Sequence, residues 1–443
     1  MPPHSVEAEQ SVLGGLLLDN SAWDRVGGVL ADRDFYRYEH RLIYAGIGAL
    51  INAGKPADVI TVAEQLQRKD KAEECGGLVY LNALAQSVPS ASNIGAYARI
   101  VHERALLRAL ATIASDLADQ AMQGQTAVEA IIDAAIMRLL AMQERERSSE
   151  PKALEELVPA FVDALNDRAE GKNDGIATGL RALDRLASGG GRSGELWVIG
   201  ARPSMGKTAM VLHLGRHVGE RFGVLMMTQE DSNQSLLARH VAAAGRVNLS
   251  NIRNPQGAPD AMWSGVSEAI DRLSKLRLYF DDQAGLTLMD VRRKIQQVKR
   301  RDPDLRLVIV DYLQLMEGQG DNRNQMLGQI SNGLKKAAKE FGTWIVLLSQ
   351  LNREADKRSG VPQMADLRDS GDIEGAADVI GLLYREWRRK PTEENKHWAQ
   401  LHIAKHKNGP TDTLNLWFDG ETQCFGDWDG PAPRAGMQTA GGD

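Results

Sequence analysis

Residues 196–208 read Leu-Trp-Val-Ile-Gly-Ala-Arg-Pro-Ser-Met-Gly-Lys-Thr. An apolar run of strand type, LWVIG, passes through a short polar loop into GKT, and AMVLHLG then continues with helical spacing. Strand, glycine-bearing loop and helix in that order form the context of a phosphate-binding loop. Backbone N–H groups at such a helix start point at an anion, and the helix dipole favours negative charge there. Ser204, Met205, Gly206, Lys207, Thr208 and Ala209 are therefore the candidate phosphate cradle. In that pattern Lys207 reaches the β- and γ-phosphates of ATP, and the Thr208 hydroxyl holds Mg2+. Ala201 stands where the consensus has its first glycine, with Gly200 one position earlier.

Beyond the loop, short β-type runs alternate with helix-like segments: VLMM, LVIV, WIVLL, VIGLL, LHIA and LNLWF. That alternation predicts an α/β core with a mostly parallel sheet and crossover helices. In such folds ligands bind outside the carboxyl ends of the strands, so the residues ending each run carry the chemistry. Asp311 ends LVIVD, the pattern of a carboxylate that holds Mg2+ through water. Glu230 ends VLMMTQE and is the candidate general base that polarises the attacking water, with Asp231 as an adjacent competitor. Gln350 follows WIVLL and is placed to sense the γ-phosphate or to hand its state to the next loop. Together these residues say nucleotide hydrolysis, and do not say what the energy is used for.

The chain before this core reads as helical. Leu106, Leu110, Ile113 and Leu117 make one apolar stripe, Gly124 breaks it, and Thr126 with Glu129 looks like a capping box. Val128, Ile132, Ala135, Leu139 and Met142 follow at similar spacing, giving a helical hairpin whose stripes are expected to pack within one subunit or else to form a subunit interface. Composition then turns charged and polar, and Pro159 is expected to open a short helix through Ala169 that docks on something. The expected layout is a helical domain at 1–145, a linker at 146–175, the α/β domain at 176–428 and a disordered tail at 429–443.

Across 443 residues the 43% hydrophobic and 25% charged content is that of a soluble globular protein. No stretch approaches the roughly 20 apolar residues that cross a bilayer, and the N-terminus shows no signal-peptide pattern. The two cysteines exclude a disulfide framework or a four-cysteine zinc site, and suit a reduced cytoplasmic home. A net charge of −6 means that any nucleic-acid site is a local basic strip or is assembled from several subunits.

In chain order, ARPSMGKTA, VDYLQL, LLSQLNR, DLRDSGDIE and AKHKNGPT resemble the motifs of the replicative DnaB helicase family. EAEQSVLGGLLLD, DFYRYEHRLIYAGI, GGLVYLNALAQSVPSASNI and YARIV resemble its helical collar, so the likeness runs from about Ser5 to Phe425. It implies a RecA-like ATPase core in a homohexameric ring, with ATP between subunits. Such a ring moves 5′→3′ on single-stranded DNA, with a primase and a helicase loader as partners. It gives Lys207, Thr208, Glu230, Asp311 and Gln350 the roles reasoned above. It places Arg239 near the nucleotide or in its coupling to DNA, and makes the loop of Arg368, Asp369 and Gly371 the grip on the DNA backbone. The family's C-terminal motif reads Lys-x-Arg-Asn-Gly, its arginine reaching the neighbour's γ-phosphate. This chain has Lys405-His406-Lys407-Asn408-Gly409 instead, and lysine supplies charge without a bidentate fork. A RecA-type recombinase would lack the collar-like part, and a RadA-like ATPase would need four cysteines. A ring platform with a vestigial ATPase would not need Lys207, Glu230 and Asp311.

Overall fold

The computed structural model describes residues 1–88, 91–124, 128, 131–132, 134–135, 138–139, 142, 153–170, 175–318, 322–352, 361–367 and 370–433. The chain divides into two compact units, Met1–Pro159 and Ala160–Asp443.

The first unit is helical. The helix Val6–Leu18 starts at Ser5, whose hydroxyl accepts the Ala8 N–H, and its apolar face packs with Tyr38–Asn52, Gly77–Gln86 and the start of Ile94–Gln123, while Val59–Arg68 packs on Tyr38–Asn52 and Gly77–Gln86. Gly14 is where two of these helices touch, since a Cβ there would lie 2.2 Å from the Leu84 carbonyl oxygen. Polar groups inside this core are paired: the buried Glu9 carboxylate accepts the Tyr36 N–H at 2.6 Å and lies 2.6 Å from His40 Nδ1, whose Nε2 is 2.7 Å from the Tyr80 hydroxyl.

The long helix ends where expected, with Gly124 left-handed at φ 63°. Nothing in it after Val101 is fully buried. Leu107 and Leu110 are 44% and 45% exposed, and Val128, Ile132 and Leu139 beyond the helix are exposed too. Of the predicted stripe itself, Leu106, Ile113 and Leu117 are half-buried and Leu110 is exposed. Thr126 and Glu129 lie outside the described residues, as do the last ten residues of the tail. The helix expected to start at Pro159 instead spans Leu154–Ala169 with Pro159 inside it. Glu155 and Glu156 in its first turn complement the dipole.

The second unit contains, among the described residues, a nine-stranded sheet: β1 (Leu196–Ala201), β2 (Gly223–Thr228), β3 (Leu278–Asp281), β4 (Leu305–Asp311), β5 (Trp344–Gln350), β6 (Val379–Tyr384), β7 (Trp398–His406), β8 (Thr413–Asp419) and β9 (Cys424–Asp427). The order is β3-β2-β4-β5-β1-β6-β7-β8-β9, parallel through β6 and antiparallel after it. The uninterrupted apolar runs are the buried strands: every residue of β1, β2 and β6 is buried, as parallel strands covered on both faces require. The two strands without a sequence signal, β3 and β9, form the sheet's edges, and every β3 residue is half-buried. Edge strands need no continuous apolar run. Asp378 anchors the sheet's far end, accepting the Leu196 N–H at 2.8 Å and pairing with Lys335.

Candidate nucleotide site

The carboxyl ends of β1, β2, β4, β5 and β6 open on a cavity of about 870 Å3. Its floor is the turn from β1 into the helix Lys207–Gly219. Ser204 and Gly206 hold left-handed backbone at φ 64° and 97°. The positive φ of Gly206 favours glycine, and a Cβ there would also crowd the Phe418 and Phe425 rings at 3.2–3.3 Å. Ser204, Gly206, Lys207, Thr208 and Ala209 line the cavity; the Met205 side chain is instead buried in the core and offers only its backbone.

Three predicted groups meet on this floor. The Thr208 hydroxyl donates to Asp311 Oδ2 at 3.0 Å, and Lys207 Nζ lies 3.4 Å from Asp311 Oδ1 and 4.3 Å from the centre of the Tyr312 ring. Asp311 Oδ1 is buried and accepts no hydrogen bond, the Lys207 charge being its nearest compensation. A hydroxyl beside a buried carboxylate with an unsatisfied oxygen fits a hard cation such as Mg2+, which takes few protein ligands and completes its shell with water and phosphate. Burial, with Glu230 and Asp311 nearby, holds the Tyr312 hydroxyl above its usual pKa.

The two acids after β2 differ sharply. Asp231 is engaged: Ser235 donates to it at 3.1 Å, Arg239 pairs with it at 3.3 Å, and its own N–H donates to Thr228. Glu230 lines the same cavity, exposed, with no hydrogen-bond or ion-pair partner among the described residues. Arg239 lines the cavity but is held by Asp231 and by Gln423 at 3.3 Å. Gln350 lines it at the end of β5.

Sequence reasoning missed the opposite wall. Arg385, just after β6, is 5% exposed, with its guanidinium 4.4 Å above the Phe418 ring and its Nη2 donating to the Lys396 carbonyl at 3.0 Å. Its Nε has no partner, and burial followed by the Arg388 charge lowers its pKa to about 10. The signal was available, because Arg385 follows VIGLLY as Glu230 follows VLMMT.

Two predicted groups are not in this cavity. Lys405 donates to the Glu374 carbonyl, and exposed Lys407 gives its N–H to Asp378 O at 2.8 Å. Both sit where β7 pairs with the start of β6, at the other end of the strands. They cannot bind the nucleotide of their own chain there. Arg368 and Asp369 lie outside the described residues, and Gly371 is exposed in the helix Ser370–Ala376.

Comparison with known proteins places this geometry in context. Residues 175–427 match the DnaB-like helicase C terminal domain, and residues 1–103 the DnaB-like helicase N terminal domain. The chain is 36% identical to the replicative DNA helicase DnaB of Geobacillus stearothermophilus over 96% of its own length and 95% of the relative's. It is 35% identical to the replicative DNA helicase DnaC of Bacillus subtilis, over 96% and 95%. Among solved structures, one of a DnaB-like replicative helicase and its interactions with primase superposes with a TM-score of 0.75 at 29% identity, covering 96% of this chain and all of that one. A separately solved ATPase domain gives a TM-score of 0.59 at 31% identity, over 63% of this chain and all of that domain. With both domains matched in order and the strand ends carrying a phosphate loop and two carboxylates, this chain belongs to the DnaB-like replicative helicase family.

Proposed function

We propose that this chain is the ATP-driven motor of a replicative helicase, a homohexameric ring that moves 5′→3′ on single-stranded DNA and separates the strands at a fork. The convergence of Lys207, Thr208, Glu230 and Gln350 on one cavity, with the buried Asp311 carboxylate held against Lys207 and Thr208, carries this reading. Lys207 exchanges Asp311 for the β- and γ-phosphates when nucleotide enters. Thr208 and Asp311 hold Mg2+, which neutralises charge on the phosphate oxygens when bound. Glu230 polarises the attacking water; its freedom from partners, against the engaged Asp231, favours it as the base. Gln350 reads the γ-phosphate, and Arg385, stacked on Phe418 in the opposite wall, offers a cation to the nucleotide.

The position of Lys407 outside its own cavity supports a role in trans, at the nucleotide of a neighbouring copy. Ring assembly is supported by unpartnered apolar faces. Leu157, Phe161 and Leu165 are exposed on Leu154–Ala169, and Leu237, Trp263 and Ile270 on Asn233–Gly245 and Asp260–Leu273. These faces cover one another between copies, as the stripe of Leu107 and Leu110 covers its counterpart. The Arg368 loop grips DNA phosphates without reading sequence, and a primase and a loader dock on the ring. Among the described residues no helix is long and apolar enough to cross a membrane.

The test is strand displacement on forks with 5′ or 3′ single-stranded tails, together with ATPase measured with and without single-stranded DNA. Stimulated hydrolysis and unwinding from the 5′ tail support the motor. A ring platform with a vestigial ATPase would show neither.

A further inference from the structure

β4 and β5 run side by side, and their backbone pairing ends at Val310 with Leu347. Beyond that point the last residues of β5, Ser349 and Gln350, keep β1 on one side, as partners of Gly200 and Ala201. On the β4 side a side chain takes over. The Gln314 amide oxygen accepts the Gln350 N–H at 3.0 Å, and its NH2 group donates to the Gln350 carbonyl at 3.3 Å and the Ser349 hydroxyl at 2.9 Å. The Gln350 N–H is a donor, so the atom facing it must be the amide oxygen, which fixes the orientation of the group. One primary amide thus replaces a missing ladder partner.

Gln314 is 8% exposed and Ser349 fully buried, so these bonds are shielded from water and costly to leave unmade. Gln314 sits in the turn Leu313–Leu315, directly after Asp311 and Tyr312. Its own carbonyl accepts Arg323 Nη2 at 2.8 Å, at the start of the helix Arg323–Phe341. The side chain does not line the cavity. It joins the strand end bearing the Asp311 carboxylate to the one bearing Gln350.

We propose that Gln314 is a positioning residue for ATP hydrolysis: its amide clamps the Gln350 backbone in register with the Asp311 strand end, so that Gln350 meets the γ-phosphate at the correct distance. This rests on the reading of Gln350 as the γ-phosphate contact. Displacing a reacting partner by about 1 Å costs on the order of a hundredfold in rate, whereas losing the clamp leaves Lys207 and the phosphate cradle in place. The effect therefore falls on kcat, with KM nearly unchanged.

The experiment is a double-mutant cycle in the full-length protein, reading kcat and KM for ATP with saturating single-stranded DNA. Gln314→Met keeps length and removes all three bonds, and should lower kcat at least about tenfold. Gln350→Ala should also lower kcat. The pair together should be no slower than Gln350→Ala alone, because the clamp has nothing left to position. A purely structural role predicts losses that multiply, and that result overturns the proposal. So does a wild-type kcat in Gln314→Met. Should that variant not fold, Ser349→Ala removes one clamp bond, and its smaller loss must likewise vanish in the Gln350→Ala background. A normal kcat in Gln350→Ala by itself refutes the γ-phosphate reading, separately from any loss seen in Gln314→Met.

Discussion

The two units differ in how their buried polar groups are satisfied. The helical unit turns polar residues inward, where Glu9, His40 and Tyr80 satisfy one another, and leaves apolar residues such as Leu107 and Leu110 outside. The α/β unit buries β1, β2 and β6 completely and collects polar groups at one end of the parallel strands: buried Asp311 Oδ1 and Arg385 Nε make no hydrogen bond, and the exposed Glu230 carboxylate lines the cavity beside them. Unsatisfied polar groups cost stability when buried. Their concentration at one sheet end marks where a charged ligand completes the structure. Exposed apolar stripes mark where another copy does.

The strongest way to break this contrast is at Glu230. Glu230→Gln keeps shape and removes the base, so turnover should fall by about 10²–10⁴ while nucleotide affinity persists; Lys207→Ala should weaken binding itself. Steady-state ATPase and equilibrium nucleotide binding measure both, and normal turnover in Glu230→Gln would move the base elsewhere.

A smaller loss is expected at Lys407, which sits outside the cavity. Arginine fingers are worth on the order of 10³–10⁵ in kcat, and a lysine point charge should give less. Lys407→Ala should slow turnover with binding intact, and Lys407→Arg should be tolerated. Rings mixed from Glu230→Gln and Lys407→Ala subunits should hydrolyse faster than either alone. If verified subunit exchange never rescues activity, Lys407 does not act on the neighbour.

The helical side of the contrast is tested with Leu110→Glu. Burying a leucine is worth about 1.5–3 kcal/mol, so self-association should weaken about tenfold or more, read by sedimentation velocity. Wild-type assembly would leave that stripe without its proposed role. Across the cavity, Arg385→Ala should raise the dissociation constant for ATP several-fold, since it removes a cation offered to the nucleotide. Equal affinity would remove that wall from the binding site.

The smallest effect concerns pH. Burial, then the Arg216 charge, lowers His240 to about 3 and His213 to about 4, against 6.5 ordinarily. The unfolded chain therefore binds more protons in this range, so their contribution to stability is complete above about pH 6.5. It is lost as pH falls from there toward 4 and 3. Urea midpoints across that window should drop, and less steeply in His240→Gln; identical slopes would show that His240 protonates without penalty.

The sequence by itself determined what depends on local order: the strand, loop and helix around Lys207, the apolar strands, the break at Gly124, and the carboxylates Asp311 and Glu230 at strand ends. Each follows from a period, a terminator or a motif within a short stretch, and a strand's end is also its ligand side. The tertiary structure alone decided matters that depend on what lies alongside. Half-buried β3 and β9 owe their existence to neighbouring strands. The stripe of Leu106, Leu110, Ile113 and Leu117 could serve a core or an interface, and that depends on what lies against it, with Leu110 exposed and the other three half-buried. Asp231 and Glu230 are adjacent and chemically alike, but Arg239 and Ser235 occupy one and leave the other free. Arg385 reaches Phe418, and Gln314 reaches Gln350, across strands distant in sequence. A single chain pattern carries no record of such pairings, because hydrogen bonds and ring contacts form between neighbours in space.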